Sequence, residues 1–133
     1  MGLLRTGRNI IATLLNGETV TPLLTTTGAV MWVGSGTAAE DAADNHLKGS
    51  SVAATMLTGY PIRTVNAIDY RGLYATNVAN FEWWEWGIKN STGTATSTAA
   101  NVFMLQRKLE TAGLGTKTSS QQWQLTVTNT ITT

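Results

Sequence analysis

The chain is expected to form a single all-β domain, an antiparallel β-sandwich of jelly-roll type with an N-terminal helix and one short inserted helix. Three observations lead there. Threonine, a β-branched residue favoured in strands, makes up roughly one residue in six. The C-terminus alternates apolar and polar residues with a period of two. Three of the five tryptophans fall within residues 83–86, inside Phe-Glu-Trp-Trp-Glu-Trp-Gly-Ile at 81–88. As one continuous strand, that segment puts Phe81, Trp83, Glu85 and Gly87 on one face and Glu82, Trp84, Trp86 and Ile88 on the other. Tryptophan on both faces requires cover on both, from a second sheet, a helix or another subunit.

The elements follow in chain order. Ile10, Ile11, Leu14 and Leu15 recur at helical spacing, with Asn16-Gly17 as the stop, so residues 3–16 are expected as a helix. Residues 1–28 then form a helical and extended N-terminal segment, which, with helix 3–16 and the threonine-rich stretch Thr19–Thr27, is open to use as a contact arm instead of core. Ala29–Val33 is a short apolar strand. Thr37 and Glu40 form a capping-box pattern, Asp41 suits a helix N-terminus and Gly49 closes the segment, which predicts the inserted helix. Val52–Leu57 and Ala67–Thr76 are the next strands, followed by the tryptophan strand. Residues 90–100 are a low-complexity polar loop. Asn101–Leu109 is a strand with Phe103, Leu105 and Leu109 on one face, and Thr111–Ser120 is a connection. In the last strand, Gln121–Thr132, Trp123, Leu125, Val127 and Ile131 share a face that only Asn129 interrupts.

Composition bounds the function. With 133 residues and 42% hydrophobic content the chain suits one domain with a real core. A net charge of +1, with its basic residues scattered, lacks the stripe that phosphate neutralisation needs, so no nucleic-acid partner is expected. No apolar stretch reaches membrane-spanning length, and no signal peptide is read at the N-terminus. Without cysteine, neither disulfides nor thiolate metal sites are available.

Catalytic chemistry is hard to assemble. His46 is the sole histidine, so a Cys–His pair is excluded and a Ser–His pair has one candidate base. His46 with Asp41 and Asp44 is expected to be a solvated polar face rather than a metal site. Gly34-Ser35-Gly36-Thr37 has the look of a phosphate cradle, yet it lacks the lysine and spacing of a P-loop. On an extended strand Glu82 and Glu85 face opposite ways and cannot flank one glycosidic bond. The reading is therefore a protein with no catalytic residue, no cofactor and no metal. Buried glutamates need partners; Arg63, Arg71 and Arg107 are available, and Glu85–Arg107 is the preferred structural pair.

The order of segments carries a resemblance. Thr-Gly-Arg-Asn-Ile-Ile near the N-terminus is followed by Val-Gly-Ser-Gly-Thr-Ala-Ala and Asp-Asn-His-Leu. Tyr60-Pro61-Ile62-Arg63, Ala79-Asn80-Phe81 and Glu85-Trp86-Gly87-Ile88 come next, then Leu105 to Arg107-Lys108. Leu114-Gly115-Thr116-Lys117-Thr118 and Trp123-Gln124-Leu125-Thr126-Val127 close the series. Across nearly the whole chain this resembles small structural proteins of tailed-bacteriophage virions. The resemblance implies a capsid decoration (cement) protein that binds the major capsid protein, copies of itself, or both, in some cases as a trimer. It implies residence in the virion after assembly in the host cytoplasm. A tail- or fibre-associated module that binds a glycan through exposed tryptophan is the alternative. Trp32 and Trp84 depart from the usual pattern, and with Trp86 they are the candidate partner contacts.

Overall fold

The structure is a computed structural model that describes residues 3–18, 29–56, 59–90 and 104–132. It is β-rich, with one helix and several antiparallel sheets, none of them closed. Helix α1 spans Arg5–Leu15. The strands are β1 (Val30–Gly34), β2 (Val52–Met56), β3 (Ile62–Thr64), β4 (Ala67–Tyr74), β5 (Glu82–Trp83), β6 (Glu85–Lys89), β7 (Met104–Leu109), β8 (Gly115–Thr116) and β9 (Trp123–Thr130). They form a four-stranded sheet ordered β2-β1-β6-β7, a three-stranded sheet ordered β3-β4-β9 and a β5-β8 ribbon. The expected loop at 90–100, Phe103 and the stretch Thr19–Thr27 lie outside the described residues, Asn90 excepted.

Alternation in the four-stranded sheet sorts its residues between two packed faces. Met31 and Val33 of β1, beside Ile88 and Trp86 of β6, join Tyr70, Tyr74 and Val127 of the three-stranded sheet in one apolar core. Gly72 of β4 is seated on β1: an added Cβ would stand 3.0 Å from Met31 Cβ. The Tyr74 hydroxyl donates to Met31 O at 2.7 Å, which satisfies a buried phenol. On the opposite face, Val30 and Trp32 form a second cluster with Leu4, Leu47 and Met104. That face is covered by the segment between β1 and β2.

The tryptophan segment is broken rather than continuous. Trp83 belongs to β5 and pairs with β8, whereas Glu85 begins β6 between β1 and β7. At the break, Trp84 N donates to Gly34 O at 2.9 Å and Trp84 O accepts from Glu110 N at 2.8 Å. The interruption shifts the phase of the alternation, so Trp83 and Trp86 both reach the same core.

Helix α1 forms where the spacing places it, but most of its apolar stripe stands outside: Ile11 and Leu14 are exposed, and Leu15 is 84% exposed. The helix instead docks through Leu4 and Gly7, with Ile10 partly buried against the core. An added Cβ on Gly7 would meet Leu105 O at 2.7 Å, so the small residue selects the contact face. The expected inserted helix is absent; residues 35–51 contain only isolated turns and bends. Its residues are held by a polar network that a helix could not serve.

Candidate functional site

The densest concentration of chemistry lies beneath the 35–51 segment. Glu85 and Arg107, on neighbouring strands and diagonal to one another (Glu85 pairs with Leu109, Arg107 with Gly87), have fully buried side chains and meet at 2.8 Å from Arg107 Nε to Glu85 Oε2. Arg107 Nη1 reaches Asp44 Oδ2 at 2.8 Å and donates to Ala39 O at 3.2 Å, while Nη2 donates to Ala38 O at 2.9 Å. The planar guanidinium fork thus joins two carboxylates and two carbonyls.

Glu85 is satisfied from the other side by backbone. Its Oε1 accepts from Gly36 N at 3.1 Å, Lys48 N at 3.0 Å and Gly49 N at 2.8 Å, and Oε2 accepts from Lys48 N at 3.1 Å. The Gly34-Ser35-Gly36-Thr37 turn therefore does cradle an anion, but the anion is an internal carboxylate. Gly36 is required there because an added Cβ would overlap Glu85 Oε1. Asp44 Oδ1 also holds Lys48 Nζ at 2.8 Å, and its Oδ2 accepts from Asp41 N at 2.9 Å. Burial alone would raise the Asp44 carboxyl; Lys48, the Asp41 amide and Arg107 outweigh it and hold it below its ordinary value of 3.8.

This network explains the missing helix. The Ala38 and Ala39 carbonyls go to Arg107, the Lys48 and Gly49 amides go to Glu85, and Glu40 accepts from Leu109 N at 2.8 Å. Each of these groups has a tertiary partner in place of an intrahelical one. Helix propensity in Ala-Ala-Glu-Asp-Ala-Ala amounts to a few tenths of a kcal/mol per residue. Stranding a buried ion costs about several kcal/mol, so the network wins.

The tryptophans named as candidate contacts separate. Trp32 is 1% exposed and Trp86 6%, so both rings belong to the interior and offer no face to a partner. Trp86 Nε1 donates to Glu110 Oε1 at 3.0 Å. Trp32 meets His46 edge-on at 5.1 Å between centroids and has Lys89 Nζ 5.9 Å from its ring. Trp84 alone of the three is partly exposed, with Gly113 against one face of its indole.

His46 is half-buried beside Trp32 instead of solvated on a helix, and its Nδ1 has no hydrogen-bond partner. Burial, then the positive charge of Lys89, depresses its imidazole below the ordinary 6.5, partly offset by Glu85. Among the described residues, no group of three His, Asp or Glu side chains is placed to hold a metal ion. Glu82 is exposed while Glu85 is buried. Arg71 stacks over Tyr60 at 4.6 Å and Arg63 Nη1 donates to Val65 O at 3.0 Å, so neither arginine serves Glu85.

Two further buried cations carry no signal in the sequence. Lys117 Nζ donates to Asn80 Oδ1 at 2.7 Å, tying the ribbon strand β8 to the turn before β5. Lys89 is buried against the Trp32 cluster, and burial lowers its ammonium pKa. Both follow apparently ordinary strand residues, and no local pattern marks them as internal. No protein family, curated protein or solved structure matches the chain.

Proposed function

We propose that this chain is a non-enzymatic structural protein of a tailed-bacteriophage virion, a capsid decoration protein that binds the major capsid protein and stabilises the head. One observation carries the reading: the charged side chains that catalysis would draw on are committed to the fold, while apolar side chains stand outside. Glu85, Arg107 and Asp44 are saturated by one another and by backbone. Leu15, Val65 and Ile131 face outward, and Trp84 is partly exposed. That disposition suits a protein acting through binding energy alone. The order of sequence segments, from Val-Gly-Ser-Gly-Thr through Glu-Trp-Gly to Gly-Thr-Lys, supports the virion assignment.

In this reading the two larger sheets are the layers of a sandwich, with Gly72 of β4 seated on Met31 of β1. Helix α1 belongs to the body, since Leu4 N donates to Leu105 O at 3.0 Å and Leu4 is buried. The glycan-binding alternative is weakened, because the rings of Trp32 and Trp86 are internal. The test is copy number in purified particles, by quantitative mass spectrometry with localisation in a density map. Hundreds of copies on the head are expected; about three to a dozen, at a tail or fibre, would overturn the decoration role.

A further inference from the structure

We infer that the outer edge of β9 is a docking site for β9 of a second copy of this chain, joining two three-stranded sheets into one continuous antiparallel sheet about a twofold axis. The inference stands independently of the virion reading.

Strand β9 is eight residues long and pairs on one side only, with β4, in unbroken register from Ala67↔Thr130 to Tyr74↔Trp123. Among the described residues no strand lies on its other side. Beyond its end, Ile131 N donates to Asn66 O at 2.8 Å in the same register, so the odd-numbered residues direct their backbone groups towards β4. Antiparallel alternation then directs the N–H and C=O of Gln124, Thr126, Thr128 and Thr130 outward.

An unpaired edge of that length is normally guarded by charge, proline, a bulge or a covering segment. Two of the other edges show such devices, while the shorter β2 edge, Val52–Met56, also lacks charge and proline. Strand β3 has three residues, follows Pro61 and carries Arg63. The β7 edge is occupied, since Leu105 O accepts from Leu4 N and Leu109 N donates to Glu40. Strand β9 has none of these in its own sequence or register: Trp-Gln-Leu-Thr-Val-Thr-Asn-Thr contains no charge and no proline, and its pairing with β4 has no bulge.

The occupant is a second copy because the strand is complementary to itself. Pairing centred on Val127 sets Thr126 opposite the partner's Thr128 and Gln124 opposite the partner's Thr130. These outward-directed residues would exchange about eight N–H···O=C bonds in all. Every side chain keeps its face in this register. On the inner face, Leu125 meets the partner's Asn129, and Trp123 meets the partner's Ile131. Ile131, 74% exposed in one chain, thereby gains an aromatic neighbour. Absence of charge on the strand and a net charge of only +1 leave little repulsion between copies.

Sedimentation velocity on the full chain, over a concentration series, tests this. The wild type is expected to dimerise. Thr126→Lys/Thr128→Lys changes two exposed side chains without touching the backbone, yet it sets like charges opposite one another across the axis. It should raise the dimer Kd about tenfold or more, with the monomer's circular dichroism retained. In Thr126→Glu/Thr128→Lys, each new carboxylate faces the partner's new ammonium, and within a chain they stand beside Arg71 and Asp69. That variant should dimerise with a stronger dependence on salt. A monomeric wild type, a threefold assembly, or a double-lysine variant that dimerises as tightly as wild type would overturn the inference. If the Glu/Lys variant dissociates while the wild type dimerises, the register centred on Val127 is wrong.

Discussion

Arg107→Met is the sharpest probe of what holds the chain together. The substitution keeps most of the side-chain volume and removes the guanidinium. Glu85 then loses a 2.8 Å partner, Asp44 loses another, and the Ala38 and Ala39 carbonyls lose theirs. Removing one member of a buried ion pair costs about 3–5 kcal/mol. With two carboxylates affected, the upper end applies, about 5 kcal/mol against a total of roughly 5–15 for a domain. At about 4 °C per kcal/mol for a chain of this size, the melting temperature should fall by roughly 20 °C. Urea denaturation at pH 7, with the slope checked for two-state behaviour, measures the loss.

The pH dependence gives an independent check. In the wild type, Asp44 has a folded pKa below its ordinary 3.8. Its contribution is therefore present above that value and is lost as pH falls through the lower folded one. In Arg107→Met the Asp44 carboxyl loses one of the groups that hold its pKa down while its burial remains, so protonation relieves it at a higher pH, and the gap from wild type should narrow between pH 7 and about 4. Replacing all three charges, as Asp44→Asn/Glu85→Gln/Arg107→Met, should cost less than Arg107→Met alone, because no uncompensated charge stays buried. A loss at pH 7 below about 1 kcal/mol, or a gap that widens in acid, would refute the argument that this triad organises the 35–51 segment.

Other substitutions test separate features. Gly36→Ala forces Glu85 out of its amide cradle and should destabilise by about 1–3 kcal/mol, read by the same denaturation. Val65 sits at φ 46° in the β3–β4 turn and is 90% exposed; Val65→Gly should raise stability by about 1 kcal/mol, since it relieves left-handed strain at little loss of contact. Wild-type stability should decline as pH falls below 6.5, because the folded imidazole of His46 has the lower pKa, and His46→Gln should flatten that part of the profile. Trp84→Ala should weaken attachment to particles more than it lowers the melting temperature; a collapse in thermal stability would make Trp84 a core residue.

Legibility in the sequence follows the range of the interactions. Strand β9 was readable because its period-2 pattern is local: Trp123, Leu125 and Val127 turn inward while Gln124, Thr126 and Thr128 stay exposed. Glu85–Arg107 was readable because a buried glutamate on one strand needs a cation from the next. Asp44, the third member, was not, since it approaches from a segment whose local signals favour a helix. The same blindness hid the break at Trp84, which follows from hydrogen bonds to Gly34 at the end of β1 and to Glu110 just beyond β7. In α1 the pattern located the helix but not its buried side, because Gly7 determines the contact by what it lacks.

The distribution of charge links the interior network to the outer surface. Of nine basic and eight acidic residues, Asp44, Glu85, Lys89, Arg107 and Lys117 are buried. A domain that draws so many of its charges inward has fewer to guard its edges, and β9 is left with none. Ionic residues could have protected that strand at little cost, since exposed charges there would face water. Their placement around Glu85 instead fixes the 35–51 segment over the sheet, while the threonine-rich edge stays neutral and can be dehydrated on contact. A protein that had to remain solitary at high concentration would favour the opposite arrangement. The buried triad and the unguarded edge are thus two sides of one allocation of charge. Adding lysines to β9 should therefore weaken self-association about tenfold or more while leaving the Arg107 network and the melting of the isolated chain intact.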